Sequence, residues 1–392
     1  MQRVLSNFGL FTASLLIGAV FIEIFTVRFL LPKLPLRLHH HFGALSVLAQ
    51  PTKNGVLPKN YTLLLGDSFA HGLGDWLFTA DHGTNAKFHS LHVIRDLTGW
   101  DIVIMGRGGS GSPASLVGQP LYSFTEINAS PYLELEPPSR IIAYFYEGND
   151  LNNNTTKGDN DDIEAEISDA RRRIGYEIKT IKPWFFWITG VLRIARHNFK
   201  VAMGWTKPSL IGYPPADSWR TWKSGPNKLK LEDREIFAPP LQGPSPLLSE
   251  KTINDGVEVF YKSLENLRNR FPRSKVFVAY IPSVMTSYRH AGEVGIAHIQ
   301  VRGRPKRPIP IKFMEERSDR ICGLILEASI RAGARFIDVR PSIWEATKSD
   351  ILHGPRDASH FNKLGYEVLG KTVVDAIQRD GTQKSCTRLD RK

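Results

Sequence analysis

The stretch Tyr61-Thr62-Leu63-Leu64-Leu65-Gly66-Asp67-Ser68-Phe69 decides the fold. An apolar run without polar alternation reads as a strand buried on both faces. Gly-Asp-Ser then closes the strand and opens a helix, because aspartate and serine side chains satisfy the first free N–H groups of a helix. Working outward, runs of the same kind occur at Asp101–Ile104, Arg140–Tyr146, Lys275–Ile281 and Arg335–Val339. Helical patterns lie between or after them at Ala86–Leu97, Ile253–Arg270, Phe313–Ala332 and Lys363–Gln378. This alternation predicts a three-layer α/β/α domain around a doubly wound, mainly parallel five-stranded sheet. Residues 60–150 and 250–380 would form it.

Ligands of such sheets bind beyond the carboxyl ends of the strands. After the first strand stands Gly66-Asp67-Ser68, and after the second Gly106-Arg107-Gly108-Gly109-Ser110-Gly111. The third runs into Glu147-Gly148-Asn149-Asp150, and past the fifth comes Asp357-Ala358-Ser359-His360. Serine is a weak nucleophile at neutral pH and needs an adjacent base. His360 can take the Ser68 proton, and Asp357 can hold the imidazole in the right tautomer and stabilise its cation. Acyl transfer also develops an oxyanion that needs preorganised donors. The Ser68 backbone N–H, the Gly109 backbone N–H and the Asn149 amide are candidates, with Gly108 and Gly111 as alternatives to Gly109. Asp67 and Asp150 are candidate supporting residues.

These four blocks in this order resemble the SGNH (GDSL-type) hydrolase superfamily. The resemblance covers about residues 60–150 and 250–380, and the serine and histidine blocks are its most specific parts. It implies a flavodoxin-like sheet, a Ser68–His360–Asp357 triad, and Gly109 and Asn149 as oxyanion donors. It also implies ester chemistry without a metal or organic cofactor, on O-acetyl groups of a glycan or on a lipid ester, by hydrolysis or O-acyl transfer. Two positions depart from the family pattern. Glu147 stands where the third block usually has glycine, which is expected to alter the local loop, and Ile104 stands where the second often opens with asparagine. A catalytically silent binding or assembly protein that kept the fold is the alternative.

Composition sets the remaining bounds. Of 392 residues, 42% are apolar and 23% charged, so the chain can bury a core. The formal net charge is +12. Phe8–Ile22 is an unbroken apolar run, followed by Arg28, Lys33 and Arg37 rather than by a small-residue cleavage signal. Residues 1–35 therefore read as an uncleaved single membrane span and 36–59, with His39-His40-His41, as a linker. Three basic residues after the span favour a cytosolic domain. The precedent of singly tethered members of the family favours an extracytoplasmic one, periplasmic or at the cell surface, and outweighs them.

Residues 151–249 form a cap-like insertion that the sheet does not need. Its residues 171–230 contain 13 Lys or Arg against Glu177 and Asp217, and five of the eight tryptophans. A helical pattern from Pro183 to Met203 puts Trp184, Trp187, Val191, Ala195 and Ala202 on one side and Arg193, Arg196 and Lys200 on another. That composition suits contact with an anionic membrane surface or an anionic glycan. Equally, it suits a cap packing its aromatics on the core. Nucleic acid is not expected. A second basic loop, Arg302–Pro308, either edges the same cleft or is a mobile surface loop, and residues 381–392 read as a polar tail. Cys322 falls inside an apolar helix and Cys386 in that tail, so the two are expected to remain unpaired.

Overall fold

The computed structural model describes residues 2–34, 36–75, 87, 89–155, 186–205, 223–298, 307–379, 383 and 385–388. The chain opens with helix α1 (Gln2–Phe25), whose turns continue through Thr26–Leu30 and Leu31–Lys33. The core follows as β1 (Thr62–Leu65), α2 (Ser90–Thr98), β2 (Ile102–Ile104), α3 (Gln119–Asn128) and β3 (Arg140–Tyr146). After helix α4 (Phe186–Ala202) it resumes with α5 (Glu250–Arg270), β4 (Lys275–Ile281), α6 (Ile311–Arg331), β5 (Arg335–Asp338) and α7 (Lys363–Gln378).

The five strands are parallel, in the order β2-β1-β3-β4-β5. Successive side chains of a strand point to opposite faces, and both faces are covered. Leu63, Leu65, Ile141, Phe145 and Val278 pack with Phe124 of α3, Phe260 of α5 and Ile325 of α6. Leu64, Ile142, Tyr144 and Ala279 pack on the other side with Ile94 of α2 and Val373 of α7. Each such buried aliphatic or aromatic side chain contributes about 1.5–3 kcal/mol. The continuous apolar runs are the sequence image of this double cover. Sheet order reverses between β1 and β3, so their carboxyl ends border the crevice where doubly wound folds bind ligands.

Local chemistry sets the ends of elements. Helix α2 starts later than the predicted Ala86, because the His89 ring accepts from the Leu91 N–H at 3.1 Å and caps it there. Ser249 caps α5 through the Thr252 N–H, and Asn362 caps α7 through that of Gly365.

Parts outside the sheet are tied to it. Residues 36–49 are helical turns that send Phe42, Leu45, Val47 and Leu48 into the core under α3. Short strands at Asn227–Lys230 and Glu235–Ala238 pair antiparallel. Leu241–Gln242 pairs with Val294–His298, which pairs with Arg307–Pro310. Leu229, Ala238, Leu241, Ala297 and Met314 give this lobe its own small core.

The expected separation of the cysteines is corrected. Cys322 and Cys386 form a disulfide, with S–S 2.03 Å and Cα atoms 6.2 Å apart. The reason is that the tail folds back along β5. The Gln383 side chain accepts from the Asp338 N–H, the Thr387 N–H donates to Asp338 at 3.1 Å, and Arg340 donates to the Thr387 carbonyl at 3.0 Å. Cys386 thereby reaches the buried Cys322 of α6.

Candidate active site

Gly66 ends β1 with φ 138°, and a Cβ there would stand 2.8 Å from the Tyr144 carbonyl of the neighbouring strand. Only glycine fits so close a passage, and it turns the chain so that Asp67 and Ser68 emerge at the rim. Asp67 caps the helical turn Ser68–His71 by accepting from the Phe69 N–H at 2.9 Å. The cap fixes the backbone of Ser68, which is 5% exposed.

Three sequence-predicted residues meet here from 292 positions apart. The Ser68 Oγ lies 2.9 Å from His360 Nε2, and His360 Nδ1 lies 2.6 Å from Asp357 Oδ2. The other Asp357 oxygen accepts from the Ser359 N–H at 2.9 Å. Burial pushes the Asp357 carboxyl up, but the His360 hydrogen bond and charge and the local N–H groups outweigh it and hold it below the ordinary carboxylate range. An ionised Asp357 bonded to Nδ1–H leaves the Nε2 lone pair facing the serine hydroxyl. Phe69 packs against the imidazole, ring centroids 5.4 Å apart.

Asp67 is a second acceptor for that hydroxyl, 3.1 Å from Ser68 Oγ. Burial raises its pKa against the opposing pull of the Phe69 N–H, the His360 charge, and bonds from Ser68 and Asn149. Asn149 is thus brought beside Asp67, the neighbour of Ser68. One amide N–H serves Asp67, while its Oδ1 is buried without a partner among the described residues. Asp150 turns back to accept from the Tyr146 N–H at 2.8 Å, and its second oxygen is also without such a partner. Burial, then the charge of Asp67, push Asp150 well above the carboxylate range.

The glycine loop lies along the same edge, the Arg107 N–H bonding the Gly66 carbonyl at 2.9 Å. Its three candidate glycines separate by position. A Cβ on Gly108 would stand 4.0 Å from Ser68 Cα, one on Gly109 would meet nothing within 4 Å, and one on Gly111 would strike Asn154. Gly108 borders Ser68, Gly109 beside it faces open space, and Gly111 serves packing.

Solved structures of carbohydrate esterases are similar to this chain. One is a carbohydrate esterase family 2 enzyme with its carbohydrate-binding domain from Corynascus thermopiles (Myceliophthora fergusii), at 10% identity and TM-score 0.36, covering 82% of this chain and 67% of that one. A second is a carbohydrate esterase whose active site is described as having divergent catalytic and non-catalytic binding functions, at 12% identity and TM-score 0.35, with 83% and 68% covered. A third is an acetyl xylan esterase from the rumen bacterium Butyrivibrio proteoclasticus, at 10% and 0.35, with 83% and 65% covered. Likenesses of this size say nothing of activity. No protein-family model and no curated protein matches the sequence.

One residue at the site escaped the sequence reading, and the role of a second was not foreseen. Asp75 accepts from the backbone N–H groups of Asp357 at 2.6 Å and Arg356 at 2.8 Å, clamping the loop that carries the acid. Glu147, expected only to alter the local loop, has a structural role as well. It is fully buried and accepts from the Ser283 N–H at 3.0 Å, Ser283 Oγ at 2.8 Å, Ser318 Oγ at 2.7 Å, Tyr280 and Thr286. The carboxylate replaces backbone freedom with a knot joining β3, β4 and α6. Asp75 sits in no motif, Glu147 departs from one, and only their partners, far away in sequence, reveal their roles.

In the insertion, Trp184 lies outside the described residues. Trp187 falls within α4, whose side chains are described from Gly190 onward. Arg193, Arg196 and Lys200 share this helix, Arg193 approaching residue 43 and Arg196 exposed.

Proposed function

We propose that this protein is a membrane-anchored serine ester hydrolase that works through an acyl-enzyme. The carrying observation is the unbroken relay from the Ser68 hydroxyl through His360 to Asp357. Ser68 Oγ attacks the ester carbonyl while its proton moves to His360 Nε2, and Asp357 stays ionised beside the imidazolium. The oxyanion takes hydrogen bonds from the Ser68 N–H, from the Gly108-Gly109 turn with Gly109 as the preferred donor, and from the second Asn149 N–H. Collapse expels the alcohol, which leaves with the His360 proton. Water then attacks the acyl-enzyme with His360 as base, releasing the acid and restoring Ser68.

The acyl group is taken to be acetyl and the carrier a glycan, from the resemblance of the four sequence blocks, with a lipid ester as the second substrate class. Should a sugar hydroxyl replace water in the second half, the same groups perform O-acyl transfer. One N-terminal helix is long and apolar enough to cross a membrane, spanning Asn7–Lys33. We read it as a single-pass anchor. The Cys322–Cys386 disulfide supports a catalytic domain on the oxidising, extracytoplasmic side, since such bonds are rare where cytosolic reductants act.

A fluorophosphonate probe tests the enzyme reading. Labelling of the full chain that disappears in Ser68→Ala is expected. A folded wild type that takes no label favours the silent-protein alternative. Turnover of p-nitrophenyl esters of increasing chain length, with and without glycan acceptors, then separates acetyl from lipid-like acyl groups and hydrolysis from transfer.

A further inference from the structure

Among the described residues, nine large apolar side chains outside the N-terminal helix are exposed, and five of them cluster on one short segment. They are Val191 at 51%, Leu192 at 61%, Phe199 at 56%, Met203 at 51% and Trp205 at 68%, on α4 and the turn that ends it. The other four stand apart, Leu97 on α2, Val294 on a short strand, and Phe313 and Ile330 at opposite ends of α6. Isolated exposed apolar residues are ordinary; a contiguous set marks a contact.

The face is ordered as well as exposed. At 3.6 residues per turn, Val191, Leu192, Ala195, Phe199 and Ala202 fall within an arc of about 100°. Gly190 and Ile194 lie on the opposite side and are turned to the body of the protein. Gly190 is so close to Phe42 that a Cβ would meet its ring at 2.1 Å. Ile194 packs on the main core. Arg196 and Lys200 border the apolar arc on one flank. Beyond the helix, Phe199 and Trp205 meet edge to face, centroids 5.9 Å apart, and both remain exposed.

Position names the occupant. Helix α4 packs against residues 26–30 and 36–45, where the apolar N-terminal helix joins the domain. There Val27 and Leu31 are buried against protein, while Phe29 and Leu30 are exposed at 58% and 51%. The apolar arc of α4 is therefore continuous with the base of α1. An apolar stripe with a cationic border and a terminal tryptophan has the composition of a helix lying at the headgroup boundary.

We propose that the outer face of α4, with Met203 and Trp205, rests in the surface of the bilayer that α1 crosses, giving the domain a second membrane contact. This rests on α1 being a span. The full chain with an environment-sensitive fluorophore on Phe199→Cys is reconstituted into vesicles of zwitterionic lipid with about one-third anionic lipid; the same label on Leu97→Cys is the control. The label at 199 is expected to shift to the blue, to be quenched by brominated lipid, and to resist aqueous iodide at least about threefold better than that at 97. Equal iodide quenching at both sites overturns the proposal. Its failure is distinguished from failure of the anchor reading by alkaline carbonate. Protein that stays with the vesicles while the label at 199 is aqueous refutes the surface contact alone, whereas protein released by carbonate refutes both. Crosslinked Phe199→Cys dimers under oxidation would assign the face to a second copy and likewise overturn it. A Leu192→Glu, Phe199→Glu variant labelled at Val191→Cys is expected to lose the iodide protection while keeping turnover of a soluble ester.

Discussion

Two buried polar clusters are opposite in character, one around Glu147 just past β3, the other around Ser68 just past β1 and joined by Asn149, two residues beyond Glu147. Around Glu147 every carboxylate oxygen is engaged, by Ser283, Thr286, Tyr280 and Ser318. Around Ser68 the account is open: the hydroxyl faces two acceptors, and Asn149 Oδ1 and Asp150 Oδ1 find no partner among the described residues. Buried polar groups that are fully satisfied rigidify a fold, whereas unsatisfied ones cost free energy and persist where something else is gained. One cluster is scaffold. The other, at the candidate site, keeps polar atoms open.

The comparison can be broken by substitution. His360→Ala should lower kcat on an activated ester by at least about 10³-fold, about 4 kcal/mol of barrier, with little change in urea stability. An undiminished rate would remove His360 from its assigned role. Glu147→Ala should do the reverse in kind, costing about 3 kcal/mol of stability by stranding its buried hydroxyl and N–H donors. Denaturant unfolding reads this directly, and a loss below about 1 kcal/mol would show that the knot is not structural.

Between these extremes lies Asp75. Its carboxylate touches neither Ser68 nor His360 but fixes the loop of Asp357. Asp75→Ala should reduce kcat by about 10-fold with KM nearly constant, as for other residues that orient a catalytic partner. A change confined to KM would contradict a positioning role.

A comparison of a different kind comes from two buried histidines beside the site, read in stability rather than rate. His89 donates its Nε2–H to the Phe69 carbonyl at 3.1 Å, and His353 Nδ1 accepts a hydrogen bond from the Tyr288 hydroxyl at 2.8 Å. Burial lowers both to about 3. The unfolded chain binds their protons below about 6.5 while the folded chain does not, so stability falls as pH drops from about 6.5 towards 3. Each histidine adds a slope of about 1.4 kcal/mol per pH unit in that window. Urea midpoints stepped from pH 7 to 4.5 should decline accordingly, and less steeply in His353→Phe. A flat profile would disprove the buried neutral pair.

Much of the sheet and the relay was legible because their signals are local. Arg140–Tyr146 and Lys275–Ile281 appear with the predicted bounds, since strands covered on both faces must be continuously apolar. Ser68 and His360 each follow a turn whose chemistry is written in neighbouring residues. What stayed hidden is decided by partners far along the chain. Asp75 meets a loop 282 positions away, and Cys386 meets Cys322 only because Gln383 and Thr387 lay the tail along β5. The small strands at Asn227–Lys230 and Arg307–Pro310 carry lysines and prolines that blur alternation, and their pairing supplies what their sequence lacks.

Glu23, deep in the N-terminal helix, accepts a hydrogen bond from Tyr132 at 2.8 Å and is itself 1% exposed. Such a tie fastens the helix to the body of the protein, where a bare tether would leave it a kite on a string. With α1 upright in a bilayer, the nucleophile would be carried at a single altitude and a single bearing. Reach would then be set by construction: chains brushing past at that height are within range, and those lying elsewhere are not.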